Sequence, residues 1–275
     1  MTDLRHLVCL SFDFDAVSFW MAQGLTSPTA ISRGEFGVIG VQRILKVLDR
    51  YGIKASFFVP GVTLNTYPDC CRAIVDAGHE MGHHGFTHVS PVKMSAEEEL
   101  NALRKGKAAM QAVTGQVPIG YRSPAWDLSE NSVELLLQEG FVYDSSMMGH
   151  DYLPYFARVS DQILEDRVVF GPETELIELP VSWSLDDFPH CEYFRGGGLQ
   201  NAGGVLQNWL DDFSFMCSEV NWGVLTYTFH PFVIGRGHRL VMFDELIRGL
   251  SEMGAEFVTA EKAVSEFQRS LSNPA

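Results

Sequence analysis

The chain has 275 residues, of which 46% are hydrophobic, and it carries a formal net charge of −15. This length and composition allow a large buried core, in one barrel-sized domain or in two smaller domains. The acidic balance argues against nucleic acid or an anionic membrane surface as a partner, because both require clustered lysine and arginine.

The predicted elements alternate between strand and helix along the chain. An apolar first strand covers residues 7–14, an irregular segment covers 16–36, and an amphipathic helix over 38–51 ends at Gly52. Ser95 and Glu98 have the spacing of a capping box at the start of another helix. Further helices are predicted at 69–77, 95–113, 129–138, 205–220 and 240–253, and further strands at 54–59, 79–82, 119–122, 176–181 and 224–229.

Repeated strand-then-helix units indicate a mostly parallel sheet with helices outside it. About seven such units suit a closed or nearly closed barrel. We therefore expect an α/β fold, a distorted (β/α)7-type barrel, that forms a single domain over residues 1–275. Residues 147–175 are the least regular and are interpreted as an insertion within that domain. In a parallel barrel the active site lies at the carboxyl ends of the strands.

Cysteine usage and the N-terminal residues bear on the compartment. The five cysteines include no C-x-x-C pair, and the chain does not begin with a basic stretch followed by a long apolar segment. No window approaches eighteen consecutive apolar residues. We expect a reducing compartment, a cytoplasmic location and no membrane partner.

Three histidines stand within six residues in the segment 82–88, which reads Gly-His-His-Gly-Phe-Thr-His. His84 and His88 are four residues apart, a spacing that would place both on one face of a helical turn, where they could bind one divalent metal. Asp13 and Asp15 end the first strand, and an extended chain directs both carboxylates to the same side. One can bind the cation while the other takes a proton from water.

One aspartate and two histidines leave metal positions open, as in a catalytic site. Non-haem iron oxygenases use the same ligand types, so the ligands alone do not fix the reaction. Arg122 could pair with a carboxylate of the site or form an ordinary surface ion pair. His230 follows a buried strand and could be a general acid or a satisfied core histidine. A barrel that binds without catalysis is a further alternative.

Four segments carry this chemistry, and they contain, in chain order, Asp13 with Asp15, His84 with His88, Arg122, and His230. In these segments and their order, the chain resembles the polysaccharide deacetylase family, the carbohydrate esterases that share the NodB homology domain. The resemblance spans residues 11–230. It implies a distorted barrel of about seven β/α units and a divalent ion, usually zinc. It also implies that Asp13 is the general base, that Arg122 orients this base and that His230 protonates the leaving nitrogen. The metal ligands would be Asp15, His84 and His88.

Some positions depart from the common pattern of that family. Phe14 separates the two aspartates, Gly85 stands where Ser or Thr is usual, and the third motif continues as Ser123-Pro124-Ala125-Trp126. Together with the segment 179–187, these features are similar to a subgroup that includes peptidoglycan deacetylase-like proteins, cyclic imide hydrolases and metal-independent allantoinases. Retention of the three metal ligands favours a metal-bound member. Substrate contacts are expected from Pro124, Trp126, Trp183 and Asp187.

The resemblance implies a metal-dependent hydrolase of non-peptide carbon–nitrogen bonds that removes N-acetyl groups from amino sugars or glycan. The alternative is an amidohydrolase that opens small cyclic imides or ureides. Four aromatic residues could form a sugar-stacking platform or pack in the core, namely Phe19, Trp20, Trp126 and Trp183. Similarity to the subgroup also implies a homo-oligomer, a tetramer.

Overall fold

The structure, a computed structural model, describes residues 4–272. The first strand, β1 (Arg5–Asp13), has its last seven residues buried. Its near-continuous apolar sequence fits a strand that is covered on both faces, as parallel strands are. No helix within residues 4–272 is both long and apolar enough to cross a membrane.

The remaining elements alternate around β1. The other strands are β2 (Ser56–Val59), β3 (Glu80–His83), β4 (Gly120–Tyr121), β5 (Tyr143–Asp144), β6 (Tyr155–Arg158), β7 (Gln162–Ile163), β8 (Val168–Val169), β9 (Glu173–Glu178), β10 (Trp222–Phe229) and β11 (Glu256–Val258). The helices are α1 (Val17–Ala22), α2 (Pro28–Tyr51), α3 (Gly61–Thr66), α4 (Pro68–Asp76), α5 (Ala96–Thr114), α6 (Ser132–Gln138), α7 (Asp187–Cys191), α8 (Ala202–Glu219), α9 (Pro231–Ile234), α10 (Gly237–Glu252) and α11 (Ala260–Ser272).

Seven parallel strands form a curled sheet in the order β10-β1-β2-β3-β4-β5-β9. Strand β6 adds an antiparallel edge beside β9, and β11 pairs with the first half of β1. Within residues 4–272 no ladder joins β6 to β10, so the barrel is not fully closed. A hydrogen bond from Val224 N to Tyr152 O bridges this gap. The predicted α/β barrel of the (β/α)7 type is confirmed.

Alternation along β1 decides what points into the barrel. Leu7 and Cys9 belong to the cluster inside the barrel, which also includes residues of α11. Val8 and Leu10 pack against the outer helices. Side chains alternate between the two faces of a strand. Ser11 and Asp13 have the same parity as Leu7 and Cys9, so the sequence of β1 places Asp13 at the top of the interior.

The segment 16–36 is not irregular, so that prediction is wrong. It contains α1 and the first turns of α2, which begins where Ser27 accepts a hydrogen bond from Ala30 N and Pro28 takes the first helical position. The region 147–175 is also more ordered than predicted, because β6 extends the main sheet and β7 and β8 form a separate hairpin. The capping box of Ser95 and Glu98 is confirmed.

Two glycines of α2 let this helix lie directly on backbone that carries the site. A Cβ on Gly34 would lie 2.6 Å from the carbonyl oxygen of Ala16, and a Cβ on Gly40 would lie 2.0 Å from that of Pro231. Ala16 follows Asp15, and Pro231 follows His230. Gly34, which lies in the segment predicted to be irregular, is therefore a contact point in the fold, as is Gly40 in the predicted helix.

We expect Gly40→Ala to lower the free energy of unfolding by roughly 1–3 kcal/mol, because a methyl group there overlaps a fixed backbone carbonyl. The matched control is Gly204→Ala in α8, where a Cβ meets nothing within 4 Å, so the gain in helix propensity should leave stability equal or higher. Urea unfolding of both variants measures the difference. Equal stabilities would contradict the proposed close packing of α2.

Candidate active site at the carboxyl ends of the strands

Four segments far apart in sequence meet where the parallel strands end. Asp13 is the last residue of β1, His84 follows β3, Arg122 follows β4 and His230 follows β10. All four side chains are buried. The carboxyl ends of parallel strands share one rim, so these residues reach the same space without any local sequence contact.

The segment that carries His84 and His88 is a bent loop, so the predicted helical turn is wrong. Gly85 and His88 adopt left-handed backbone, with φ of 68° and 58°. Backbone N–H groups at the start of α3 donate to the carbonyls of Gly85 and Phe86 and hold the loop in place. The two imidazoles still converge, with ring centroids 5.0 Å apart.

Asp15 lies between these two imidazoles. Its Oδ1 is 3.4 Å from His84 Nε2, and its Oδ2 is 3.3 Å from His88 Nε2. Asp15 is 1% exposed, and neither carboxylate oxygen accepts a hydrogen bond from the described residues. Burial would raise the pKa of Asp15, but His88 and His84 lower it below its ordinary value. An ionised carboxylate buried without hydrogen bonds requires nearby positive charge.

The hydrogen bonds of His84 show what that charge could be. Its Nδ1 donates to the carbonyl oxygen of Arg122 over 2.7 Å, because a carbonyl can only accept. In the neutral ring, Nε2 then presents its lone pair toward Asp15, which is repulsive unless a cation lies nearby. Ligand atoms of Asp15, His84 and His88 all lie within 4.8 Å of one another. This donor set fits a divalent metal ion with open positions.

Asp13 is paired differently, with a guanidinium. Arg122 Nη1 donates to Asp13 Oδ1 at 2.8 Å and to Ser11 Oγ at 2.9 Å. Its Nε and Nη2 donate to the carbonyl and hydroxyl oxygens of Ser145, both at 3.0 Å. All three nitrogens of the planar guanidinium therefore donate, to Asp13 and Ser11 on one side and to Ser145 on the other. The other oxygen, Asp13 Oδ2, faces His84 Nε2 at 3.9 Å.

His230 is held by two consecutive aspartates. Its Nδ1 donates to Asp187 Oδ1 at 2.9 Å, and its backbone N–H donates to the same carboxylate. Asp186 Oδ1 lies 3.4 Å from the same Nδ1. Burial alone would lower the pKa of His230, but Asp186 and Asp187 raise it well above its ordinary value. Its Nε2 faces Asp15 Oδ2 at 3.7 Å.

A cavity of about 240 Å³ opens above these groups. On one side the rings of Trp126 and Trp183 pack against each other, with centroids 4.3 Å apart and an angle of 31° between their planes, and Trp183 is 46% exposed at the mouth. Ala125 and Trp126 both have left-handed backbone, with φ of 60° and 51°, a strained conformation that is common at functional sites. The aromatic residues on the cavity wall are Phe19, Trp126, Trp183, Phe188 and Phe194.

Two predicted substrate contacts are wrong. Asp187 is fully buried behind His230, and Pro124 is buried against Gly85, so neither lines the cavity. Trp20 is also fully buried, which excludes it from a platform for sugars. Asp186, the residue before α7, lines the cavity instead.

Sequence reasoning also missed several residues at the mouth. Phe188 and Phe194 line the cavity with Lys93 and Arg195. The Gly196-Gly197-Gly198 run indicates a loop at this point of the chain, but no spacing pattern connects that loop with the histidines.

Comparisons with known proteins show similarity to one family. The polysaccharide deacetylase family model matches residues 38–143. The peptidoglycan deacetylase of Helicobacter pylori is 35% identical, over 95% of this chain and 96% of its own length. A Mycobacterium smegmatis structure assigned as a polysaccharide deacetylase superposes with a TM-score of 0.84 at 29% identity, covering 100% of this chain and 94% of that one. An allantoinase structure, at 19% identity over 99% and 92% of the chains, has a TM-score of 0.79 and is similar in fold.

We expect Arg122→Lys to destabilise the protein, because lysine keeps the charge but cannot donate from three nitrogens of a fixed plane. Each buried acceptor left without a donor should cost roughly 1–3 kcal/mol of unfolding free energy. Arg167→Lys is the control, since Arg167 pairs with Asp166 at an exposed position and such pairs contribute little. Denaturant unfolding compares the two variants. A stable Arg122→Lys protein would contradict the role given to the guanidinium.

Proposed function

The chain belongs to the polysaccharide deacetylase family, and from this premise we propose that it is a metal-dependent hydrolase that removes the acetyl group of an N-acetylated amino sugar. The family's reaction is hydrolysis of a non-peptide carbon–nitrogen bond. The observation that carries the proposal is Asp15, buried and without hydrogen bonds between two imidazoles. A second aspartate, Asp13, is held separately and remains available for proton transfer.

Asp15, His84 and His88 would hold the divalent ion. We infer zinc, because imidazole nitrogens with one carboxylate are a ligand set that catalytic zinc accepts. Such an ion, when bound, supplies a Lewis acid for a carbonyl and lowers the pKa of water toward about 7.

Asp13 is suited to accept the proton of the attacking water. Arg122 occupies its Oδ1 and leaves Oδ2 near His84, at the floor of the cavity. Because Ser11 and Ser145 hold the guanidinium, the carboxylate is oriented before substrate arrives. A general base that is fixed in this way does not lose rotational freedom in the transition state.

His230 is suited to protonate the leaving nitrogen. It lies on the Oδ2 side of Asp15, whereas Asp13 lies beside His84 on the Oδ1 side. Its Nδ1–H is bound to Asp187, so Nε2 is the nitrogen that faces the reaction. Water adds to the amide carbon, the carbon–nitrogen bond breaks, and the amine departs with the proton that His230 donates.

A second candidate substrate is a small cyclic imide or ureide, opened by the same proton transfers. The size and walls of the cavity favour it, because about 240 Å³ between aromatic surfaces suits one compact, planar ring. A glycan would have to extend past Trp183 at the mouth.

We expect Asp13→Asn to abolish turnover with bound metal unchanged, because the amide cannot accept the proton. Asp15→Asn should lose both metal and turnover, since it removes a ligand. Elemental analysis and activity assays on the two purified variants separate these effects. Normal activity in Asp13→Asn would exclude it as the base, and a full complement of metal in Asp15→Asn would exclude the ligand set.

A substrate panel distinguishes the two candidate substrates. If the substrate is a glycan, Trp183→Ala should raise KM for chito-oligosaccharides by roughly 2- to 10-fold through lost stacking, with less effect on a single N-acetylated sugar. The control is Phe215→Ala, an exposed aromatic on α8 that does not line the cavity. Hydrolysis of succinimide-type rings, with no release of acetate from any sugar, would replace the deacetylase proposal by the imide hydrolase.

A further inference from the structure

Asp144 and Glu178 form a buried carboxylate pair outside the cavity. They are direct register partners on the neighbouring parallel strands β5 and β9, and both are fully buried. Ser146 Oγ donates to Asp144 Oδ1 at 2.7 Å. The backbone N–H groups of Ser146 and Met147 donate to Glu178 Oε1, both at 2.8 Å. The remaining oxygens, Asp144 Oδ2 and Glu178 Oε2, accept nothing from the described residues.

This pair does not contact substrate. The preceding residues Tyr143 and Ile177 pack in the interior cluster, so alternation directs Asp144 and Glu178 to the outer face of the sheet. Neither residue lines the cavity. Any effect of the pair on the reaction must therefore pass through other residues.

Two adjacent carboxylates in a buried site cannot both be ionised at low cost, and one proton between them removes the repulsion. Burial raises the pKa of both groups, and the neighbouring charge of Asp144 raises that of Glu178 further. Glu178 is the better proton carrier. Its Oε1 accepts two backbone N–H groups as a carbonyl oxygen does, which leaves an Oε2–H to donate to Asp144 Oδ2.

The residues after Asp144 connect the pair to the active site. Ser145 accepts two hydrogen bonds from the side of the Arg122 guanidinium that faces away from Asp13. Ser146 Oγ accepts from Ser123 N at 2.8 Å while donating to Asp144. Ser145 thus holds the Arg122 side chain, and Ser146 holds the backbone of the next residue, Ser123. Both serines follow the end of β5, where Asp144 lies beside Glu178 of β9.

We propose that Asp144 and Glu178 share one proton and, through Ser145 and Ser146, act as positioning residues for Arg122 and hence for Asp13. The shared proton does not depend on any activity of the protein. The kinetic consequence rests on the proposed hydrolase function.

Infrared difference spectroscopy tests the shared proton without any activity. The wild-type protein at neutral pH should show the C=O stretch of a protonated carboxylic acid, and Glu178→Gln should lack it. Glu178→Gln should keep the fold, because its amide N–H can donate where the acid O–H does. A wild-type spectrum identical to that of Glu178→Gln would overturn the shared proton, whether or not a substrate is known.

Kinetics test the positioning role. Glu178→Ala should lower kcat by about 10- to 100-fold, the range seen for residues that support a site indirectly, with KM and bound metal unchanged. Glu178→Gln should restore most of kcat. The matched control is Glu80→Ala, which removes a half-buried carboxylate that accepts from Ser56 and Tyr143 at the start of β3. This control should lose stability but keep kcat.

If Glu178→Ala does not fold, Ser145→Ala provides the same test, since it removes one acceptor of Arg122 and should lower kcat severalfold at constant KM. Unchanged kcat in Ser145→Ala, or in a folded Glu178→Ala, would overturn the positioning role while leaving the proposed function intact. So would an equal loss of kcat in Glu178→Gln and Glu178→Ala.

Discussion

Charge compensation at the mouth of the barrel is the constraint on which the site depends. The buried carboxylates at this rim cannot stay ionised without partners, and Asp13, Asp15 and the Asp186–Asp187 pair have different ones. Asp13 has the guanidinium of Arg122, and Asp187 has the ring and backbone N–H groups of His230. Asp15 accepts no hydrogen bond from the described residues and has only imidazole nitrogens near it, those of His84 and His88 and, slightly farther away, that of His230. Because the partners differ, residues of one chemical type suit the different tasks that we propose for them, as base, support for the acid and metal ligand.

The sheet and the helix packed on it fix the positions of these carboxylates and of His230. Parity along β1 directs Asp13 into the interior, and the backbone that follows Asp15 and His230 is fixed by contact with α2. A glycine at position 34 or 40 has no side chain to repack, so the helix approaches to backbone distance. The site is therefore held by main chain, which relaxes less than side chains when substrate or metal binds.

Much of the site could be predicted from the sequence, because its residues fall at strand ends that the apolar runs mark. Asp13, Asp15, His84, His88, Arg122 and His230 lie together as those positions require. The helical spacing of His84 and His88 is the wrong reason for their convergence, since left-handed backbone at Gly85 and His88 bends this segment into a loop. The sequence also does not predict that Asp187 binds His230. Two adjacent aspartates are equivalent in sequence, and only the fold shows which one accepts from the His230 backbone. The aromatic walls are brought together only by tertiary packing.

The polar residues at the strand ends and the aromatic residues of the cavity wall make separate contributions to the proposed function. The proton transfers that we propose for Asp13 and His230 require only an amide carbon placed between these residues, and an acetamido group and a cyclic imide both provide one. The surfaces that distinguish these substrates belong to other segments, with Phe19 on α1, Trp126 after β4, and Phe188 and Phe194 on and after α7. The aromatic side chains of these segments form no hydrogen bond to Asp13, Arg122 or His230, although Phe188 follows Asp187 directly in α7. Substitutions in them can therefore change the accepted ring or chain while the geometry that cleaves the carbon–nitrogen bond is preserved.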